Sequence, residues 1–106
     1  MNISKDTKIY GSFSANPGNN GARFFNQAFD RNNIDAIYIP FKSENTKDSI
    51  VSILNLNICG AAFSMPHKER VLEYLDVVST TAQEIMAVNT VVNQDGVLTG
   101  YNTIGT

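Results

Sequence analysis

Lys68 lies in the run Met65-Pro66-His67-Lys68-Glu69, directly after the apolar stretch Cys59-Gly60-Ala61-Ala62-Phe63. That stretch reads as a buried strand. Pro66 suits the first position of a following helix, because its fixed φ fits there and its missing N–H would be unpaired anyway. Lys68 is therefore expected at the carboxyl end of a strand, where open α/β sheets bind their ligands. The positive end of a helix opposes a second positive charge. Partial burial there would favour the neutral amine and suit it to carrying a proton. Taken alone, the pentapeptide also fits a solvated first-turn lysine.

The elements that would position this lysine follow from two alternating periods. Lys8-Ile9-Tyr10-Gly11 reads as a short strand running into the loop Ala15-Asn16-Pro17-Gly18-Asn19-Asn20-Gly21. Ala22, Phe25, Ala28 and Phe29 have helical spacing and stop at Asn32-Asn33. A second strand is expected over Ala36-Ile37-Tyr38-Ile39-Pro40-Phe41, and a helix from about Asn45 to Leu56 carrying Ile50, Ile53 and Leu54. Ile58 to Ser64 gives a third strand, and Val71, Leu72 and Leu75 form the apolar side of the helix opened by Pro66.

Ser79 is a plausible N-cap for a short helix bearing Ala82, Ile85 and Met86. Ala87-Val88-Asn89-Thr90-Val91-Val92-Asn93 reads as a strand, turned by Gln94-Asp95-Gly96 into Val97-Leu98-Thr99-Gly100-Tyr101. The order β-α-β-α-β-α-α-β-β predicts an α/β fold: a three-layer sandwich with a mainly parallel mixed sheet plus a C-terminal antiparallel hairpin.

Composition narrows the function. With 106 residues, 42 % hydrophobic and 17 % charged, the chain suits one small globular domain. A net charge of −2 gives no electrostatic case for nucleic acid or an anionic membrane. One cysteine and one histidine exclude an internal disulfide and argue against a structural zinc site. Without an apolar leader or a membrane-length stretch, the expected location is the cytoplasm.

Four stretches in order then identify a resemblance: Gly60-Ala61-Ala62-Phe63-Ser64-Met65-Pro66-His67-Lys68-Glu69, Ala87-Val88-Asn89-Thr90-Val91-Val92, Asp95-Gly96, and Gly100-Tyr101-Asn102-Thr103. The chain resembles the amino-terminal substrate-binding domain of shikimate dehydrogenases over residues 1–106. Ala62, Ser64 and the Ser12-Phe13-Ser14 run bring it nearest the shikimate dehydrogenase-like branch. The resemblance implies NADPH-dependent reduction of 3-dehydroshikimate to shikimate in the parent family, with shikimate, 3-dehydroshikimate or quinate as the bound molecule.

Carried over position by position, Lys68 matches the catalytic lysine and Asn89 the substrate-binding asparagine, whose amide both donates and accepts. Ser64 matches a hydroxyl-bearing binding position, though a serine before Pro66 would also serve as a helix cap. The mainstream serine pair that grips the carboxylate is replaced at its usual place by Asn19 and Gly21. Ser12 and Ser14 restore serine-x-serine spacing seven residues earlier, with ordinary strand-end hydroxyls as the alternative; Asn19 and Asn20 are further amide donors.

The largest departure is Tyr101-Asn102-Thr103-Ile104, where the family has aspartate at the fourth position. Isoleucine cannot accept a hydrogen bond or carry charge, so Ile104 breaks the lysine–aspartate dyad. Loss of such help costs roughly 10²- to 10⁴-fold in rate. The loop at residues 16–21 lacks G-x-G-x-x-G spacing. No cofactor is therefore expected on this chain alone, and NADP is implied for the full-length family through a Rossmann domain that these residues lack. Two readings stay open: an inactive substrate-binding half of an oxidoreductase, or a non-catalytic binding or regulatory module. Apolar surface left uncovered would favour a homo-oligomer.

Overall fold

The computed structural model describes residues 2–103, and Ile104 lies outside them. The elements are β1 (Lys8–Ser14), α1 (Asn20–Arg31), β2 (Ala36–Lys42), α2 (Thr46–Asn55), β3 (Ile58–Phe63), α3 (His67–Arg70), β4 (Val77–Val78), α4 (Thr80–Ile85), β5 (Thr90–Gln94) and β6 (Val97–Tyr101). A 3₁₀ turn, Val71–Tyr74, continues α3. Local chemistry accounts for most of the boundaries. Asn45 caps α2 by accepting from the Asp48 N–H, and Ser79 caps α4 by accepting from the Ala82 N–H. Asn33 (φ 54°) and Asn57 (φ 52°) turn the chain after α1 and α2, in a left-handed conformation that asparagine tolerates. Asp95 (φ 51°) and Gly96 (φ 89°) make the tight turn of the β5–β6 hairpin.

The six strands lie in the order β2-β1-β3-β5-β6-β4. The β1–β2, β1–β3 and β4–β6 pairings are parallel, whereas β3–β5 and β5–β6 are antiparallel. The mixed, mostly parallel sheet and its hairpin are as expected. Alternation along the strands separates two faces. Phe13, Ala61, Phe63, Val91 and Leu98 face a core closed by Ile50 and Ile53 of α2, Val71, Ala82 of α4 and Val88. Phe13 stacks between Phe41 (5.0 Å) and Phe63 (5.3 Å). On the other face α1 lies over Tyr10 and Tyr38, with Phe29 5.8 Å from Tyr10 and Phe25 4.8 Å from Tyr38.

Four local expectations are corrected. The first strand runs on to Ser14, because parallel pairing with both β2 and β3 extends it past Gly11. Val77–Val78 forms an unanticipated strand: two residues carry no readable alternation, and pairing with Thr99 and Gly100 creates it. Ala87 to Asn89 precede β5 rather than belonging to it. Finally, Pro66 is the N-cap of α3 (φ −97°, after a cis Met65–Pro66 peptide) and not its first residue. The helix lasts four residues. So short a helix sums few peptide dipoles, which removes most of the field invoked to act on Lys68.

Candidate functional site

Parallel strands β1 and β3 end side by side, and antiparallel β5 begins where β3 ends. Backbone hydrogen bonds stitch this corner together. Ser64 N–H donates to the Phe13 carbonyl (3.2 Å), Phe63 N–H to Asn89 (2.8 Å), and Val88 N–H to Lys68 (2.8 Å). The same geometry puts Ser12 and Ser14 in the last three residues of β1, Ser64 just after β3, Lys68 in α3 and Asn89 just before β5. Lys68 is half-buried and lines a cleft of about 260 Å³ with Met65, Pro66, Glu69, Arg70 and Ala87. Among the described residues no carboxylate lies within ion-pair distance of its ammonium.

Asn89 is held by its own carbonyl oxygen. Its Oδ1 accepts from Thr90 Oγ1 (3.0 Å), from the Thr103 backbone N–H (3.1 Å) and from Thr103 Oγ1 (3.2 Å). A backbone N–H can only donate, so these bonds fix which end of the amide is oxygen. The NH₂ remains to donate outward. Asn102 braces the same loop by donating from Nδ2 to the Ala87 carbonyl at 3.1 Å.

The serines are not equivalent. Burial pushes the Tyr38 phenol up from its usual range, and the neighbouring Ser12 hydroxyl opposes that shift. Ser14 is buried, and its carbonyl accepts from Ser43 N–H at 2.8 Å. Ser64 is exposed and does not cap α3, whose N-cap makes no side-chain bond, so the capping alternative falls; its carbonyl instead accepts from His67 N–H at 2.9 Å. Asn19 is the N-cap of α1, again without a side-chain capping bond.

His67 was weighed in the sequence only as a metal ligand, yet it is fully buried. Its Nε2 lies 2.7 Å from the Ser43 carbonyl and its Nδ1 2.7 Å from Thr46 Oγ1. Its position between Pro66 and Lys68 was the one available signal. Tyr38 and Thr103 were missed as well, since their roles depend on partners distant in sequence. Among the described residues no cluster of histidine, cysteine or acidic side chains could hold a metal ion, and no helix is long and apolar enough to cross a membrane.

These amine, amide and hydroxyl groups lie near the strand ends, where open α/β sheets bind their ligands, although the cleft at Lys68 is not lined by Asn89 or by the three serines. Residues 20–91 match the family described as shikimate dehydrogenase substrate binding domain, and the chain belongs to that family. It is 40 % identical over 101 residues to a shikimate dehydrogenase-like protein of Haemophilus influenzae, covering 95 % of this chain and 37 % of the relative. It is 41 % identical over 106 residues to a shikimate dehydrogenase (NADP(+)) of Pyrococcus furiosus, covering 97 % and 39 %. The crystal structure of shikimate 5-dehydrogenase from Listeria monocytogenes in complex with shikimate and NAD superposes with a TM-score of 0.88 at 34 % identity, covering 95 % of this chain and 36 % of that one. The chain thus spans well under half the length of the relatives it matches.

Proposed function

We propose that residues 1–106 are the substrate-binding domain of a shikimate dehydrogenase-like oxidoreductase, seating shikimate, 3-dehydroshikimate or quinate at the strand-end corner, and that the 106-residue chain by itself is catalytically silent. The observation that carries this is the 2.8 Å bond from Val88 N–H to the Lys68 carbonyl, which joins the turn bearing the amine to the segment bearing the Asn89 amide. An ammonium and an amide NH₂ offer donors to the hydroxyl and keto oxygens of a polyhydroxylated ring. The Ser12 and Ser14 hydroxyls, with Ser64, supply further polar contacts that fix one pose.

In the full-length family the nicotinamide of NADP supplies the hydride. This chain's contribution is to orient the ring and to hold a proton on Lys68 Nζ facing the carbonyl oxygen. Its own loop at residues 16–21 lacks the spacing of a dinucleotide cradle, so no step here involves the cofactor. Ile104, where the family carries aspartate, favours a second reading in which the pocket binds without turnover.

Isothermal titration of the 106-residue chain with shikimate tests the binding claim shared by both readings. Lys68→Ala is expected to weaken binding more than Ser12→Ala, by about 1.5–3 against about 0.5–1.5 kcal/mol, because a charged donor is worth more than a neutral one. Failure of the parent chain to bind shikimate or quinate at millimolar concentration would sink the assignment. Equal losses would remove the ranking.

A further inference from the structure

We propose that His67 is a positioning residue, a buried strut that fixes the turn carrying Lys68 against the β2–α2 connection and, through Ser43, against the strand end carrying Ser14. The placement of the Lys68 turn stands on geometry alone; the effect on ligand binding rests on the function proposed above.

A carbonyl oxygen only accepts, so the 2.7 Å contact to the Ser43 carbonyl requires the proton on Nε2. In the neutral ring Nδ1 is then bare and accepts from the Thr46 hydroxyl, also at 2.7 Å. The imidazole is 0 % exposed and Thr46 6 % exposed, so neither bond has water as a ready substitute. Phe63 presses edge-on against the ring, with centroids 5.7 Å apart. Two peptide groups extend the strut. Ser43, whose carbonyl takes the imidazole proton, donates its own N–H to the Ser14 carbonyl at 2.8 Å. On the other side, His67 N–H closes the turn onto Ser64, and the adjacent Lys68 carbonyl receives Val88 N–H. One side chain therefore ties three segments of the corner to α2. Since α3 has a single turn and little cooperativity of its own, such an external tie is what can hold Lys68 in register.

The 106-residue chain itself tests this. Nitrogen-15 NMR should show a His67 ring protonated on Nε2 and bare on Nδ1; the opposite tautomer would overturn the proposal. His67→Phe keeps the volume but removes both bonds. It is expected to lower hydrogen-exchange protection of Val88 N–H by about tenfold, while the central-strand amide of Val91 keeps its protection, and to weaken shikimate binding about tenfold. His67→Gln, whose amide can still donate to Ser43 and accept from Thr46, should recover most of both. Unchanged protection at Val88, a uniform loss that includes Val91, or no recovery with glutamine would each reject the strut. If the phenylalanine variant does not fold, Thr46→Val removes only the donor to Nδ1 and should produce a smaller loss at Val88; no loss rejects the proposal. A parent chain that ignores shikimate would defeat the functional reading, leaving the tautomer and exchange data to judge the strut.

Discussion

The two faces of the sheet are made from the same strands and treated in opposite ways. On one, Ile58, Val91 and Leu98 of the strands are buried almost completely together with Ile53 of α2, Val71 of the 3₁₀ turn and Val88. On the other, α1 buries none of its own residues completely, although Phe25 and Phe29 cover Tyr10 and Tyr38. Beyond α1 that face opens into a hollow of about 410 Å³ floored by Gly60, Ala62, Thr90 and Val92. Adjacent residues of β5 show the contrast: Val91 is 1 % exposed and Val92 37 %. Strand alternation is identical on both sides, so the difference comes from helix coverage. Stability is concentrated on the closed face, and the polar corner draws its rigidity from there.

The sharpest way to break this comparison is to truncate one apolar side chain packed on each face and follow urea unfolding. Ile53→Ala should cost about 2–5 kcal/mol, since it removes packing and leaves a cavity. Val92→Ala should stay within about 0.5 kcal/mol, as expected for an incompletely covered position. Comparable losses would show that the second face is as tightly held as the first.

An intermediate effect is expected at Asn93, a polar residue on the closed face. Its Nδ2 donates to the Ile58 carbonyl (3.1 Å) and, at 3.4 Å, to that of Ile53, while its Oδ1 accepts from Gly96 N–H (2.9 Å). Asn93→Leu should cost about 1–3 kcal/mol by leaving these groups unpaired, and the loss should appear as a lower urea midpoint. A neutral outcome would mean that core packing alone holds the hairpin.

The smallest effect belongs to the open face and to alkaline solution. Burial favours the neutral Tyr38 phenol, so the folded chain holds that proton more tightly than the unfolded chain does. The associated stability is present below the unfolded phenol range and is lost as pH rises through the raised folded value. Tyr38→Phe should therefore flatten the fall in melting temperature above about pH 10. An unchanged slope would assign the alkaline loss to other groups.

Much of the fold was legible from the chain because the signals were local. Asn32-Asn33, Ser79 and Asp95-Gly96 act within a few residues of themselves, and each ends, caps or turns an element as expected. The apolar periods of α2, β3 and β6 depend only on spacing. Of the candidate site, the sequence singled out Lys68 and Asn89, and both residues lie at the corner where β3 ends and β5 begins. What escaped was non-local. Val77–Val78 became a strand only through β6, and α3 shrank to one turn although Val71, Leu72 and Leu75 fit a helical face.

The amino-acid sequence by itself determined the family, the order of the main elements and the residue types offered to a ligand, because caps, turns and periodicity are encoded in near neighbours. Tertiary structure alone decided that the Asn89 oxygen is already occupied and that both ring nitrogens of His67 have partners. Each of those assignments depends on a hydrogen-bonding partner brought in from a distant segment, and only the folded sheet selects it.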